Sequence, residues 1–204
     1  MSVMEANEMT YDSTAKCFGF ILTTMLKGSI KDKETIKAVK AEYKAIVERA
    51  SDIGNHNFLI MSYYLAAYFI AMNRNTGLSP EENLAIMEEK IKTSKLIKLM
   101  MGNAKDYLSE KKMQIRREWS KETYKMKYKN DWVVDVIEKD DKYEFGLDYH
   151  QCGVCKLCRD EGCFELAKYL CRLDFLLVEV IGVHLDRTMV LAEGAPKCDF
   201  RFRK

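Results

Sequence analysis

The sequence predicts an α+β protein, with an N-terminal helical lobe followed by a hairpin, a helix and a second hairpin that form a small antiparallel sheet. Apolar residues recur at helical spacing through roughly the first 130 residues. The pattern then alternates with period two in four short runs, and one more helix separates them in pairs. Helices followed by strands are typical of this class. We expect a single domain over 1–204, with a helical part (1–130) and an α+β part (131–204) that carries the site.

Composition narrows the kinds of partner. The 204 residues are 48% hydrophobic and 31% charged, with a formal net charge of +2. This balance predicts neither a nucleic-acid nor a membrane partner. The longest apolar run, 58–72, is shorter than the ~20 residues that cross a bilayer. The first residues resemble no secretory signal, so seven cysteines predict a cytoplasmic protein with reduced thiols.

The helical part begins with a helix that contains Cys17, which we expect to be a small buried residue. An amphipathic helix follows Asp32, since apolar residues recur at helical spacing from Ile36 to Ala50. The next segment, 58–72, is apolar nearly all round and should be the buried central helix.

Clear start and stop signals mark the following helices. The sequence Ser79-Pro80-Glu81-Glu82 combines an N-cap serine, proline at the first helical position and glutamate three residues after the cap. This helix should continue to Met101, because Gly102 ends it. Asn103 can cap another helix over roughly 104–124, whose basic face is typical of a solvated surface.

The α+β part starts with alternating runs at 132–137 and 143–150, which predict the first hairpin. A helix over 165–181 follows, and its helical spacing places Asp174 one turn from Cys171 on a stripe that is otherwise small or apolar. A carboxylate there needs a partner or a chemical role, because burying it unpaired is costly. The runs 184–191 and 197–203 predict the second hairpin.

Six of the seven cysteines lie after residue 150. The spacing Cys152-x2-Cys155-x2-Cys158-x4-Cys163 brings four thiols into twelve residues, enough for a tetrahedral zinc site. An iron–sulfur cluster fits less well, because the last spacing is longer than the ferredoxin pattern and no proline follows. A metal at these cysteines would be structural or would activate water. The same spacing is also compatible with four free thiols that bind no metal.

The C-terminal quarter contains Cys152 after a strand, a helix with LCRLD at 170–174, a strand through Arg187-Thr188, the sequence LAEG at 191–194 and the ending KCDFRF at 197–202. In these residues it resembles the L-2-amino-thiazoline-4-carboxylic acid hydrolase family. The resemblance implies an α+β hydrolase that opens a 2-aminothiazoline ring to a carbamoyl-cysteine. The extra cysteines at 155, 158 and 163 depart from the pattern expected of this family.

Ring opening requires a nucleophile, a proton donor and a group that holds the substrate carboxylate. The candidate catalytic residues are Cys152, Cys171, Asp174, His184 and Cys198. Cys152 is favoured as nucleophile because it follows a strand and should lie in a loop, and Arg187, Thr188 and Arg201 are candidates for substrate binding. The alternative is that Cys171 and Cys198 are core thiols, the two arginines are surface residues and His184 merely starts a strand.

Two functions remain open from the sequence. One is a hydrolase acting on a small substrate with a carboxylate, and the other is a small-molecule-binding or metal-binding sensor domain without catalysis. A cavity lined by Cys152, Asp174 and His184 together would favour the hydrolase. The sequence leaves open whether the protein forms a homo-oligomer.

Overall fold

The computed structural model describes residues 13–50 and 57–204. Within these ranges the helical part contains seven helices. They are α1 (Ser13–Leu26), α2 (Lys33–Arg49), α3 (Asn57–Asn75), α4 (Pro80–Thr93), α5 (Lys95–Met101), α6 (Ala104–Tyr107) and α7 (Glu110–Thr123). The α+β part contains β1 (Val133–Ile137), β2 (Phe145–Gln151), α8 (Gly153–Asp160), α9 (Ala167–Glu179), β3 (His184–Asp186) and β4 (Cys198–Arg203). The predicted α+β class is confirmed.

Side-chain caps fix where the helices begin. Ser79 accepts a hydrogen bond from the Glu82 amide while the Glu82 carboxylate accepts one from the Ser79 amide, so the predicted capping box is present at the start of α4. Asp32 likewise caps α2 through the Glu34 and Thr35 amides. These bonds satisfy amides that have no partner within the helix.

Two predicted helices are each divided in the structure. The helix expected over 80–101 breaks at Ser94, whose extended backbone ends α4 and whose hydroxyl caps α5. The helix expected over 104–124 breaks into α6 and α7, and Ser109 caps the second piece. Serine at a cap competes with the helix interior for backbone hydrogen bonds, which explains both breaks.

Helix α3 is the centre of the helical part, as its sequence predicts. Its residues from Tyr63 to Met72 are buried on every side, and α3 packs against α1, α2, α4 and α8. Among the residues that the structure describes, no helix has the length and apolarity needed to cross a membrane.

The four strands form an antiparallel sheet in the order β1-β2-β4-β3. The register pairs Phe145 with Phe202 and Tyr149 with Cys198, so these side chains share one face. The Phe145 and Phe202 rings stack with their centroids 4.5 Å apart. This apolar face packs against the helices and forms one wall of the core.

The opposite face of the sheet carries charge. Asp148 is buried there and accepts hydrogen bonds from Lys197 and Arg201. Gly146 makes room for the arginine, because a Cβ at this position would lie 2.8 Å from Arg201 Nη1. Arg201 therefore lies across β2 and pairs with a carboxylate of the protein.

The α+β part differs from the prediction in two places. Residues 153–160 form helix α8, although a loop was expected after Cys152. Strand β3 spans only 184–186, because Asp199 of β4 accepts hydrogen bonds from the Thr188 and Met189 amides and turns the chain away from the sheet. A short 3₁₀ turn at Leu191–Glu193 then leads back to β4.

Candidate functional site

A cavity of about 80 Å³ lies where α3, α8 and α9 meet the apolar face of the sheet. Five of the residues predicted for the site line it together: Cys152, Cys171, Asp174, Arg187 and Cys198. The rest of the wall is mostly apolar, with leucines from α3 and α9 and the ring of Phe200. An enclosed apolar wall with a few converging polar groups is typical of a small-molecule site.

The only ion pair in this wall, among the described residues, joins Asp174 of α9 to Arg187 after β3. Arg187 Nη1 donates to Asp174 Oδ2 at 2.7 Å, and Nη2 donates to the Cys171 carbonyl at 2.8 Å. The guanidinium lies between the rings of Phe175 and Phe200, 4.7 and 4.9 Å from their centroids. The Arg187 side chain is 4% exposed, and its Nε–H has no hydrogen-bond partner. One buried donor of this guanidinium is thus unsatisfied in the structure.

Asp174 is an acid with an altered proton affinity. Burial against α9 and the apolar wall of the cavity raises the pKa of Asp174 to about 6, although the nearby positive charge of Arg187 opposes this rise. About a third of the Asp174 side chain remains accessible, and the residue lines the cavity. A carboxyl group with this pKa can give and take a proton near neutral pH.

The loop that carries Arg187 is anchored to β4. Asp199 accepts from the Thr188 amide at 2.8 Å and from the Thr188 hydroxyl at 2.6 Å. The Leu191 amide donates to Cys198 Sγ at 3.2 Å, so this thiol also holds the loop. These bonds fix the backbone on the C-terminal side of Arg187 and thereby orient its guanidinium.

Cys152 is the thiol best placed to act as a nucleophile. It occupies the N-cap position of α8. A hydrogen bond from the Cys155 thiol lowers the pKa of Cys152, and the Cys155 and Val154 amides at the helix start add to this effect against the cost of burial. Their orientation falls short of a regular side-chain cap. The N-terminus of a helix is a favoured position for a reactive thiolate.

Two other cavity thiols, those of Cys171 and Cys198, have raised pKa values. Burial raises the pKa of Cys198 to about 11. Burial, together with the charge of Asp174, raises the pKa of Cys171 well above its usual range. Both groups are therefore protonated near neutral pH, and they form part of the cavity wall.

Three predicted site residues lie outside the cavity. His184 is on the charged face of the sheet, exposed, with its Nε2 3.2 Å from Asp186 Oδ1. Thr188 is exposed and bonded to Asp199. Arg201 is paired with Asp148 on the charged face. The structure thus brings Cys152 and Asp174 to one cavity but does not bring His184 there.

The four clustered cysteines separate into two pairs because α8 forms. Cys152 and Cys155 line the cavity, while the Cys163 amide donates a hydrogen bond to the Cys158 carbonyl further along the chain. Within the described ranges, no three cysteine, histidine or acidic side chains are arranged to hold a metal ion. The predicted tetrahedral set is thus not assembled in this structure, and Cys17, expected to be buried, is exposed.

Sequence reasoning missed two polar residues of the cavity wall, Ser62 of α3 and Tyr149 of β2. Tyr149 lines the cavity on β2, and burial raises its pKa well above the ordinary value, so the hydroxyl keeps its proton. The alternation that places Tyr149 on the same face as Leu147, next to Cys152, was the available signal.

Comparison with known families gives one result. A sequence model described as L-2-amino-thiazoline-4-carboxylic acid hydrolase matches residues 57–202, more than two thirds of the chain, and this range includes every cavity residue named above. The chain belongs to this family. Membership in this hydrolase family implies an enzyme that hydrolyses a carbon–nitrogen bond of a small molecule. Searches of curated proteins and of solved structures find no match.

Proposed function

We propose that this member of the hydrolase family opens a 2-aminothiazoline-4-carboxylate-like ring to a carbamoyl-cysteine in the cavity between α9 and the sheet. The observation that carries the proposal is the presence of the Cys152 thiol, the Asp174 carboxyl and the Arg187 guanidinium in one small cavity. Together they supply a nucleophile, a proton carrier and a positive charge for the substrate carboxylate.

Arg187 is the group for the substrate carboxylate. Its Nε–H is buried without a partner, and a carboxylate oxygen would satisfy it. A second negative charge beside Arg187 would also weaken the support that the guanidinium gives to ionised Asp174. Substrate binding would therefore favour the protonated form of Asp174, which is the form required for the first step.

In the first step the Cys152 thiolate attacks the ring carbon between sulfur and nitrogen. The carbon–nitrogen bond breaks, and the ring nitrogen leaves as an amine after taking one proton from Asp174 and one from the exocyclic amino group. The amino nitrogen thereby becomes an imine, doubly bonded to the carbon under attack. The carbon stays bound to Cys152 Sγ, to the substrate sulfur and to the amino nitrogen. The lowered pKa of Cys152 supports this role, because the thiolate is the reactive form.

In the second step ionised Asp174 takes a proton from water, and the hydroxide attacks the same carbon. The bond from this carbon to Cys152 then breaks, the thiolate returns and the carbamoyl group remains on the substrate sulfur. Asp174 ends the cycle protonated. A pKa of about 6 suits a group that acts as acid in one step and base in the next.

The proposal assigns no chemistry to His184, Thr188 or Arg201, whose side chains lie away from the cavity. The proposal also includes the cytoplasmic location that the composition predicts. The seven cysteines are free thiols in the structure, which supports this location.

The second candidate is a binding domain without catalysis, which the narrow apolar cavity would also suit. One experiment separates the two: purified protein is mixed with 2-aminothiazoline-4-carboxylate, and carbamoyl-cysteine is measured by mass spectrometry while binding is measured by calorimetry. The proposal predicts product formed over many turnovers. Saturable binding with no product would instead support the sensor.

A further inference from the structure

Cys155 has no part in the ring-opening steps, yet it lies in the cavity beside the nucleophile. Cys152 occupies the N-cap of α8 and Cys155 the first turn, three residues later. Both line the same cavity, and the Cys155 thiol is near enough to lower the pKa of Cys152. Two adjacent thiols can be oxidised to a disulfide within the chain, which a single thiol cannot.

The two residues are close enough to be bridged. Residues three apart on a helix have Cβ atoms about 5–6 Å apart, and a disulfide brings them to about 3.5–4.5 Å. Cys152 has an extended backbone, with φ −122° and ψ 119°, because it lies just before the helix. Because Cys152 lies before the first helical residue, its backbone can adjust toward Cys155 and close the bridge without unwinding α8.

The two thiols differ in exposure, and this difference determines which of them reacts first. Cys152 is partly exposed at the cavity, whereas Cys155 is 3% exposed behind it. A small disulfide that enters the cavity meets Cys152 first, and Cys155 is then in place to resolve the product. The second pair, Cys158 and Cys163, is buried and does not line the cavity.

We infer that Cys152 and Cys155 form a dithiol–disulfide site that exchanges with low-molecular-weight disulfides of the glutathione type. The Cys152 thiolate attacks one sulfur of the small disulfide, forming a mixed disulfide and releasing one thiolate. Cys155 then loses its proton, attacks Cys152 Sγ and releases the second thiolate. Two protein thiols are oxidised, and one small disulfide is reduced to two thiols.

The site also connects redox state to the reaction. Oxidation places the nucleophile in a disulfide, so ring opening stops until a thiol reduces the bond. This consequence rests on the proposed function, whereas the disulfide exchange itself does not.

The test is equilibration of the full chain, with Cys17→Ser to remove the exposed thiol, in buffers with increasing ratios of oxidised to reduced glutathione. Peptide mapping by mass spectrometry after acid quench should find one disulfide between residues 152 and 155, reversed by dithiothreitol. In Cys155→Ser the product should be glutathione attached to Cys152. No bridge between these residues at any ratio, or a bridge confined to Cys158 and Cys163, would overturn the inference.

Activity is read in the same samples. If ring opening occurs, it should fall in proportion to the fraction of the disulfide and return on reduction. If the bridge forms but ring opening is absent in both redox states, the dithiol site stands and the proposed function fails. Full activity in the fully bridged protein would show that Cys152 is not the nucleophile.

Discussion

Arg187 donates a hydrogen bond to Asp174 across 2.7 Å, linking the loop after β3 to helix α9 at the wall of the cavity. The arginine side chain is 4% exposed and the aspartate side chain 33% exposed. Both residues line the cavity, and the acid is the more accessible of the two. This arrangement explains how one carboxyl group can lie among apolar side chains and still be reached from the cavity.

We expect Arg187→Lys to raise KM for the carboxylate substrate about 10- to 100-fold, with a smaller effect on kcat. Lysine keeps the charge but loses the planar donors that reach Asp174, the Cys171 carbonyl and the substrate. This rise in KM corresponds to the loss of about 1.5–3 kcal/mol, the contribution of a hydrogen bond to a charged group. Steady-state kinetics measure it. The matched control is Arg172→Lys, an exposed residue on α9 paired with Glu88, which should leave KM unchanged.

The pH profile should reveal Asp174. The first step needs its protonated form, so kcat/KM should fall as pH rises through about 6, where the free enzyme loses this proton. The corresponding fall in kcat should occur at higher pH, because the carboxylate of the bound substrate disfavours the ionised form of Asp174. Asp174→Asn should lower kcat about 100- to 10,000-fold and remove the fall with pH. A fall that persists in this variant would assign it to another group.

Alkylation by iodoacetamide at pH 7 should distinguish the cavity thiols. Cys152 should be modified much faster than Cys198, because a thiol with a pKa of about 11 is ionised in only about one molecule in ten thousand at this pH. Cys171 should be slow for the same reason. Exposed Cys17 provides the reference rate for an ordinary surface thiol. Preferential labelling of Cys171 or Cys198 would move the nucleophile to that residue.

Gly153→Ala should destabilise the protein by about 1–3 kcal/mol, because a Cβ at this position would lie 2.6 Å from the Asn130 carbonyl and 2.9 Å from the Trp132 ring. Urea unfolding measures this. The added methyl would also displace the start of α8 and so reduce the reactivity of Cys152. Gly28→Ala is the control, because the nearest atom to its Cβ would be Lys90 Nζ at 3.8 Å. Equal stability of both variants would contradict the close packing at Gly153.

Much of this architecture follows from local patterns in the sequence. The capping box at Ser79 predicted the start of α4, because both of its hydrogen bonds are local. The stripe that contains Asp174 predicted an acid in need of a partner, and that partner is Arg187. These predictions held because they depend on spacing within one element.

What the sequence could not supply depends on how elements meet. The period-two alternation of a strand places His184 and Asp186 on a common face, but only the helices packed on the sheet determine which face is covered. The spacing of the cysteines suggested a tetrahedral metal site, yet residues 153–160 form a helix in which Cys155 and Cys158 are buried. Strand β3 ends early because of Asp199, a partner more than ten residues away.

The most direct test of the account is kcat for ring opening of 2-aminothiazoline-4-carboxylate by Cys152→Ala beside Cys17→Ala. Each variant removes one thiol, and circular dichroism should show that both remain folded. We predict that Cys152→Ala loses at least about 1000-fold in kcat, as expected on removing a nucleophile, while Cys17→Ala keeps the wild-type value. Wild-type kcat in folded Cys152→Ala would contradict the central claim that this thiol attacks the ring.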